Sequence, residues 1–327
     1  MSHRDSCSRG RYPSLADKNK TQGTPQNRAD LAFRWLTTSC AIAVIVIISG
    51  IFIELARNSS LAFQEFGFNF FINDNWDPVS QQFGAASSIY GTLVSTLIAM
   101  VIAVPVSLVI ALFLVELAPP ALSRIVGGGI ELLAAIPSII YGMWGLFVFA
   151  PFMRDHVQPL LGDTLGFLPL FQGPPMGIGM LTAGIILALM ILPFISAITR
   201  DVLQMVPKVV KESAYGVGAT TWEVTRKVSL RYGLRGTIGA MFLGLGRAIG
   251  ETMAVTFVIG NAAAISASLF SPSHTIASTL ANEFAEAVEP IYSSSLIALG
   301  FVLFVITIVF QGIAHLWLTR VRKSVEG

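Results

Sequence analysis

Apolar residues along this chain gather into blocks of about 20 with few or no charges among them, each long enough to cross a hydrocarbon core of ~30 Å as a helix. The blocks run over about Trp35–Leu55, Ser88–Leu117, Arg124–Phe152, Gly177–Thr199, Thr237–Asn261 and Ser295–Leu318. This pattern predicts an all-α, polytopic integral membrane protein with six transmembrane helices. Pro105, Pro137 and Pro193 fall inside three of the blocks. In a membrane bundle, neighbouring helices and local unwinding re-satisfy the carbonyls that a proline frees, so kinks are expected there and not breaks. Residues 1–34 are polar and lack the apolar stretch of a cleavable leader, which predicts a disordered N-terminal tail. A six-span domain over 35–320 and a short C-terminal tail over 321–327 complete the expected organisation.

Charged residues make up 12% of the 327, about half the ~25% of a soluble domain, and this excludes most soluble classes. The net charge of +2 is too small to point to a nucleic-acid partner. Where the charges sit is more informative. Lys and Arg number seven in the N-terminal tail, one after the second block, seven between the fourth and fifth, and three at the C-terminus. The alternate loops hold only Arg57 and Arg154, and the last of them, around 269–294, carries Glu283, Glu286 and Glu289 with no basic residue. Short basic loops are the ones retained in the cytoplasm, so both termini are expected there.

Enzyme chemistry finds no obvious home. There is no G-x-x-x-x-G-K-[ST] nucleotide loop. His3, His156, His274 and His315 are scattered, and Cys7 and Cys40 lie in the tail and the first block, so no metal cluster or disulfide framework is expected.

The connection from Arg200 to Arg235 is far longer than a turn and reads as helix from about Pro207 to Lys227, with Pro207 at the first helical position and Tyr215, Trp222 and Val224 as bulk on a basic element. Such a segment could simply lie among lipid headgroups. Gly216 and Gly218 bring nothing to an interfacial helix, however; they suit a turn between two short helices that inserts into a partner's groove.

The run Glu212-Ser213-Ala214-Tyr215-Gly216-Val217-Gly218, with Val228-Ser229-Leu230 ten residues later, resembles the E-A-A-x-x-x-G-x9-I-x-L-P signature of inner-membrane permease subunits of ABC importers. Ser213 departs from the pattern at its second position, and Arg231 stands where it has proline. Further runs narrow the resemblance: Trp76-Asp77-Pro78 with Gln82-Phe83-Gly84, Ile136-Pro137-Ser138 with Tyr141-Gly142, Lys211 to Tyr215, and Leu245-Gly246-Arg247-Ala248-Ile249-Gly250-Glu251-Thr252-Met253-Ala254-Val255. Over about residues 35–320 the chain is similar to phosphate-specific transport permeases, and its Gly-Glu-Thr-Met-Ala-Val run to their PstC-type subunits.

That resemblance implies the type I ABC importer permease architecture in a bacterial-type inner membrane. It further implies a heterodimer with a sister PstA-type permease, a pair of cytoplasmic PstB-type ATPases carrying ATP and Mg, and an extracytoplasmic PstS-type phosphate-binding protein. The chain itself would be a transport subunit without catalysis or cofactor. Glu212, Ser213, Ala214, Tyr215, Gly216 and Gly218 would form the coupling helix that docks on the ATPase.

In the fifth block Arg247 and Glu251 are four apart and so expected on one helical face, with Arg247 roughly 15 Å into the span. A charge at that depth costs at least ~2.5–3.5 kcal/mol unless paired or wetted. Two readings remain open. The pair could neutralise itself and staple the bundle. Alternatively, Arg247 lines the route of a divalent anion, which its planar fork suits, while Glu251 holds the guanidinium and limits the anion's residence. Gly236, Ala240 and Gly244 on the same helix would let neighbours approach closely. Glu116, Glu131, Glu54 and Arg57 read as interfacial or structural. Competing functions are a permease for another oxyanion, such as molybdate or sulfate, and a passive anion channel; the long coupling segment speaks against the channel.

Overall fold

The computed structural model describes residues 28–326, with side chains over 30–320. The chain forms two units, Met1–Ile51 and Phe52–Gly327. The described part of the first is helical and belongs to α1 (Arg28–Asn58). The predicted tail over 1–34 therefore lies outside the described residues up to position 27, while its last residues are already helix. Asp30 in the first turn and the alanines and leucine around it favour that earlier start.

In the second unit, α2 (Ser60–Phe66), α3 (Asn69–Ile72) and a small antiparallel hairpin, β1 (Trp76–Asp77) and β2 (Gln82–Phe83), precede α4 (Ala86–Leu117). Next come α5 (Pro120–Ala134), α6 (Ser138–Leu165), α7 (Met180–Gln204) and α8 (Lys208–Gly216). The chain closes with α9 (Thr221–Ile249), α10 (Met253–Ile259), α11 (Ile276–Glu283) and α12 (Pro290–Glu326). Among the described residues four helical stretches are long and apolar enough to cross a membrane, Asp30–Phe66, α4, α7 and Pro290–Arg320. Two bent pairs, α5 with α6 and α9 with α10, bring the crossings to six if each pair is one span.

Pro105 and Pro193 lie inside unbroken helices, as expected. Pro137 does not. It sits in extended conformation at φ −57°, ψ 139°, between two helices bent 90° apart. Proline cannot donate to the preceding turn and biases the residue before it away from helix.

The centre of the second unit is α7, where Ile186, Leu187, Met190, Ile191 and Ile195 are buried against Ala99 and Ala103 of α4, Ala240 and Ala248 of α9, and Val255 and Val258 of α10. Small residues make this packing possible. A Cβ at Gly236 or Gly244 would strike Val202 or Ile195 of α7, so the small-residue row on the fifth block marks the face that meets α7. A second core at one end joins Phe70, Trp76, Phe83 and Tyr292, with the Phe83 and Tyr292 rings stacked at 5.2 Å. There the Trp76 indole N–H and the Tyr292 hydroxyl both donate to Glu283.

Candidate functional site

Helix α9 ends at Ile249, and α10 departs at 59° after Gly250, Glu251 and Thr252. The continuous helix expected over 237–261, and with it the shared face of Arg247 and Glu251, is therefore replaced by a break. The cause is local. Gly250 ends one helix, and the Glu251 carboxylate accepts from the Ala254 N–H at 3.1 Å, satisfying a donor that the start of α10 would otherwise leave unpaired.

Arg247 stays on the last turn of α9, where the helix dipole favours a cation. Its guanidinium lies 5.4 Å from the Phe194 ring centroid, a cation–π contact with α7. The side chain is only part-buried, and among the described residues no carboxylate forms an ion pair with it. Tyr141 of α6 lies within reach of its charge. Gly142 brings α6 against Met253, Ala254 and Phe257, so both broken spans converge on this region.

The coupling segment has a different shape from the one predicted. Pro207 caps α8 from outside at φ −59°, ψ 131°, instead of taking the first helical position. Helix α8 then ends at Gly216, and Gly218 turns the chain at φ +88°, its N–H donating to the Tyr215 carbonyl at 2.9 Å. No atom lies within 4 Å of a Cβ built on Gly216 or Gly218, so Gly218 is required by conformation and not by clearance. Beyond this turn the chain does not form a second short helix. Thr220 and Glu223 form a reciprocal capping box that starts α9, which runs on through a π turn at Thr225–Ser229 without a break. Arg231, with an N–H where the signature has proline, lets it run on. Glu212, Ser213, Tyr215 and Gly216 are exposed and Ala214 is half-buried. Val217 and Trp222 are 86% and 65% exposed, which leaves an apolar surface around the turn.

The sequence pattern of the family described as "Binding-protein-dependent transport system inner membrane component" matches residues 83–323. The chain belongs to this family. It is 54% identical over 296 residues to the "Phosphate transport system permease protein PstC" of Mesorhizobium japonicum, covering 89% of this chain and 90% of that one. The protein of the same name from Pasteurella multocida is 52% identical over 90% of this chain and 93% of its own length. Among solved structures, a bacterial alginate ABC transporter in complex with an alginate pentasaccharide-bound periplasmic protein aligns with a TM-score of 0.60. The alignment covers 90% of this chain and 98% of that one at 16% identity, a likeness of fold alone. The chain is thus a multi-pass membrane protein with the type I importer permease architecture.

Within that architecture, the acidic residues read as interfacial or structural take definite partners. Glu116 at the end of α4 accepts from Lys211 of α8 at 2.7 Å, and Glu131 of α5 accepts from Arg200 at 2.6 Å, with Asp201 on the same guanidinium at 3.0 Å. Sequence reasoning missed a buried polar cluster at the start of α4. His274 Nε2 lies 2.9 Å from Ser87 Oγ and 3.1 Å from Ser88 Oγ, and its Nδ1 lies 3.1 Å from Thr279 Oγ1. Burial pushes the His274 imidazole down to about 4. Only the spacing of Ser87, Ser88, Thr92 and Ser95 on one face of α4 hinted at a polar partner.

Proposed function

We propose that this chain is the permease subunit of an ATP-driven importer of inorganic phosphate, paired with a sister permease and served by a separate cytoplasmic ATPase and an extracytoplasmic binding protein. Its kinship with phosphate transport permeases over nine-tenths of their length supports the substrate. The geometric observation that carries the reading is Arg247, a guanidinium inside a span with an aromatic neighbour and no carboxylate partner among the described residues. A charge so placed needs a wetted path or an anion, and a divalent phosphate matches its two-pronged donor geometry. Glu251 contributes to the pathway by fixing the break beside Arg247.

The coupling role falls to Glu212, Ser213, Ala214, Tyr215, Gly216 and Gly218, whose exposed turn suits insertion into an ATPase groove. By the count of Lys and Arg in the loops, this segment and both termini face the cytoplasm. Reconstitution with the three partners tests the whole assignment: ATP-dependent uptake of labelled phosphate, undiminished by excess sulfate or molybdate, is the expected result. Uptake without ATP would instead indicate a channel, and competition by sulfate or molybdate a different oxyanion.

A further inference from the structure

Helix α8 is lightly seated, since none of its residues is buried. Among the described residues one ion pair ties it to a spanning helix: Lys211 Nζ donates to Glu116 Oε1 at 2.7 Å. Glu116 sits on a π turn, Phe113–Leu117, that ends α4 and re-aims the side chains it carries. The Glu116 side chain is 5% exposed and that of Lys211 17% exposed. Parting this pair costs more than parting an exposed one, because it would leave the Glu116 carboxylate buried without its partner.

Helix α4 leads from this pair to the other end of the second unit. Over its 32 residues it is ~48 Å long, more than the thickness of a hydrocarbon core. Along the way Ala99 and Ala103 are buried in the core around α7. At the far end Ser87 and Ser88 meet His274, and Thr92 Oγ1 accepts from the Ile276 N–H at 3.0 Å.

We propose that the Lys211–Glu116 pair is the tie through which displacement of the coupling segment reaches α4, and that α4 carries it across the membrane to the loop at 274–276. This rests on the docking role proposed for α8. The two residues act by position, linking a driven element to a driving one, and neither touches the transported anion.

The test uses the full transporter in proteoliposomes and reads phosphate moved per ATP hydrolysed, together with ATPase copurification and melting temperature. Lys211→Met and Glu116→Gln should each keep the ATPase bound while uptake per ATP falls about tenfold, within the usual range of coupling between sites. Exchange of the charges, Lys211→Glu with Glu116→Lys, should recover most of the loss, and Lys211→Arg should be tolerated. Unchanged uptake per ATP in both single variants overturns the proposal. So does an exchanged pair that assembles with the ATPase and stays uncoupled. If the single variants melt below the assay temperature, the exchanged pair and Lys211→Arg decide: recovery in both supports the tie, and failure in both removes it. Docking is read separately, because it fails if Gly218→Val leaves ATPase binding and uptake unaffected, whereas the tie can fail with docking intact.

Discussion

Arg247 and Glu251 stand four residues apart, yet a helix end lies between them, so their substitutions should be separable. Arg247→Lys keeps the charge but loses the fork, and uptake should fall about ten- to hundredfold, the worth of one charge-assisted hydrogen bond. Initial uptake rates at saturating binding protein measure it, and a wild-type rate would remove Arg247 from the anion's path. Glu251→Gln retains an oxygen that can accept from Ala254 N–H and should leave the melting temperature near that of the parent. Glu251→Met removes the acceptor and should cost about 1 kcal/mol, as loss of a helix cap does. Equal melting of the two variants would contradict the capping role. His274 gives a pH dependence whose sign follows from burial. Its folded value of about 4 lies below the ordinary 6.5, so the unfolded chain binds more protons in that interval. Stability is therefore complete above pH 6.5 and is lost as pH falls towards 4, at roughly 1.4 kcal/mol per pH unit at most. Thermal unfolding in detergent at pH 7.5 and 5 should show the drop, and His274→Asn should flatten it.

At the scale of elements, the turn after α8 places its strongest demand on Gly218. At φ +88° a β-branched side chain is strained by ~1–2 kcal/mol, although space around the position is open. Gly218→Val should leave membrane insertion and the bundle intact, reshape the turn, and reduce both ATPase copurification and phosphate uptake. Gly216 lies at the end of α8 without a positive φ, so Gly216→Ala should be nearly silent in the same assays. If the two substitutions behave alike, the turn is not what the partner reads. The broken spans obey the same local chemistry. Pro137 separates α5 from α6, while Gly250 and the Glu251 cap separate α9 from α10.

For the whole molecule, the direction in the membrane decides which face meets which partner. In a variant lacking the native cysteines, Glu286→Cys should react with an impermeant thiol reagent added outside intact cells, and Lys208→Cys should react only after lysis. Both positions are exposed. Ser273, in the same outer loop by the count of basic residues, is buried and would be a poor reporter. Reaction of the two sites under the same conditions would overturn the orientation.

The helices were legible in the chain because a bilayer imposes a simple rule: runs of apolar residues long enough to span it become helices. The blocks around α4, α7 and α12 obey that rule alone, and the exposed turn at Gly216 and Gly218 was visible as glycines without a helical purpose. The spacing of Arg247 and Glu251 could not say that they part company, because a four-residue separation implies a shared face only while the helix continues. Here Gly250 ends the helix, and the Glu251 carboxylate caps the next one through the N–H of Ala254. Likewise Pro105, Pro137 and Pro193 look alike in sequence, yet two lie inside helices and the third stands between two. Lys211 with Glu116, and His274 with Ser87 and Ser88, are distant in sequence, and only the folded bundle brings them together, for burial makes them partners and composition cannot.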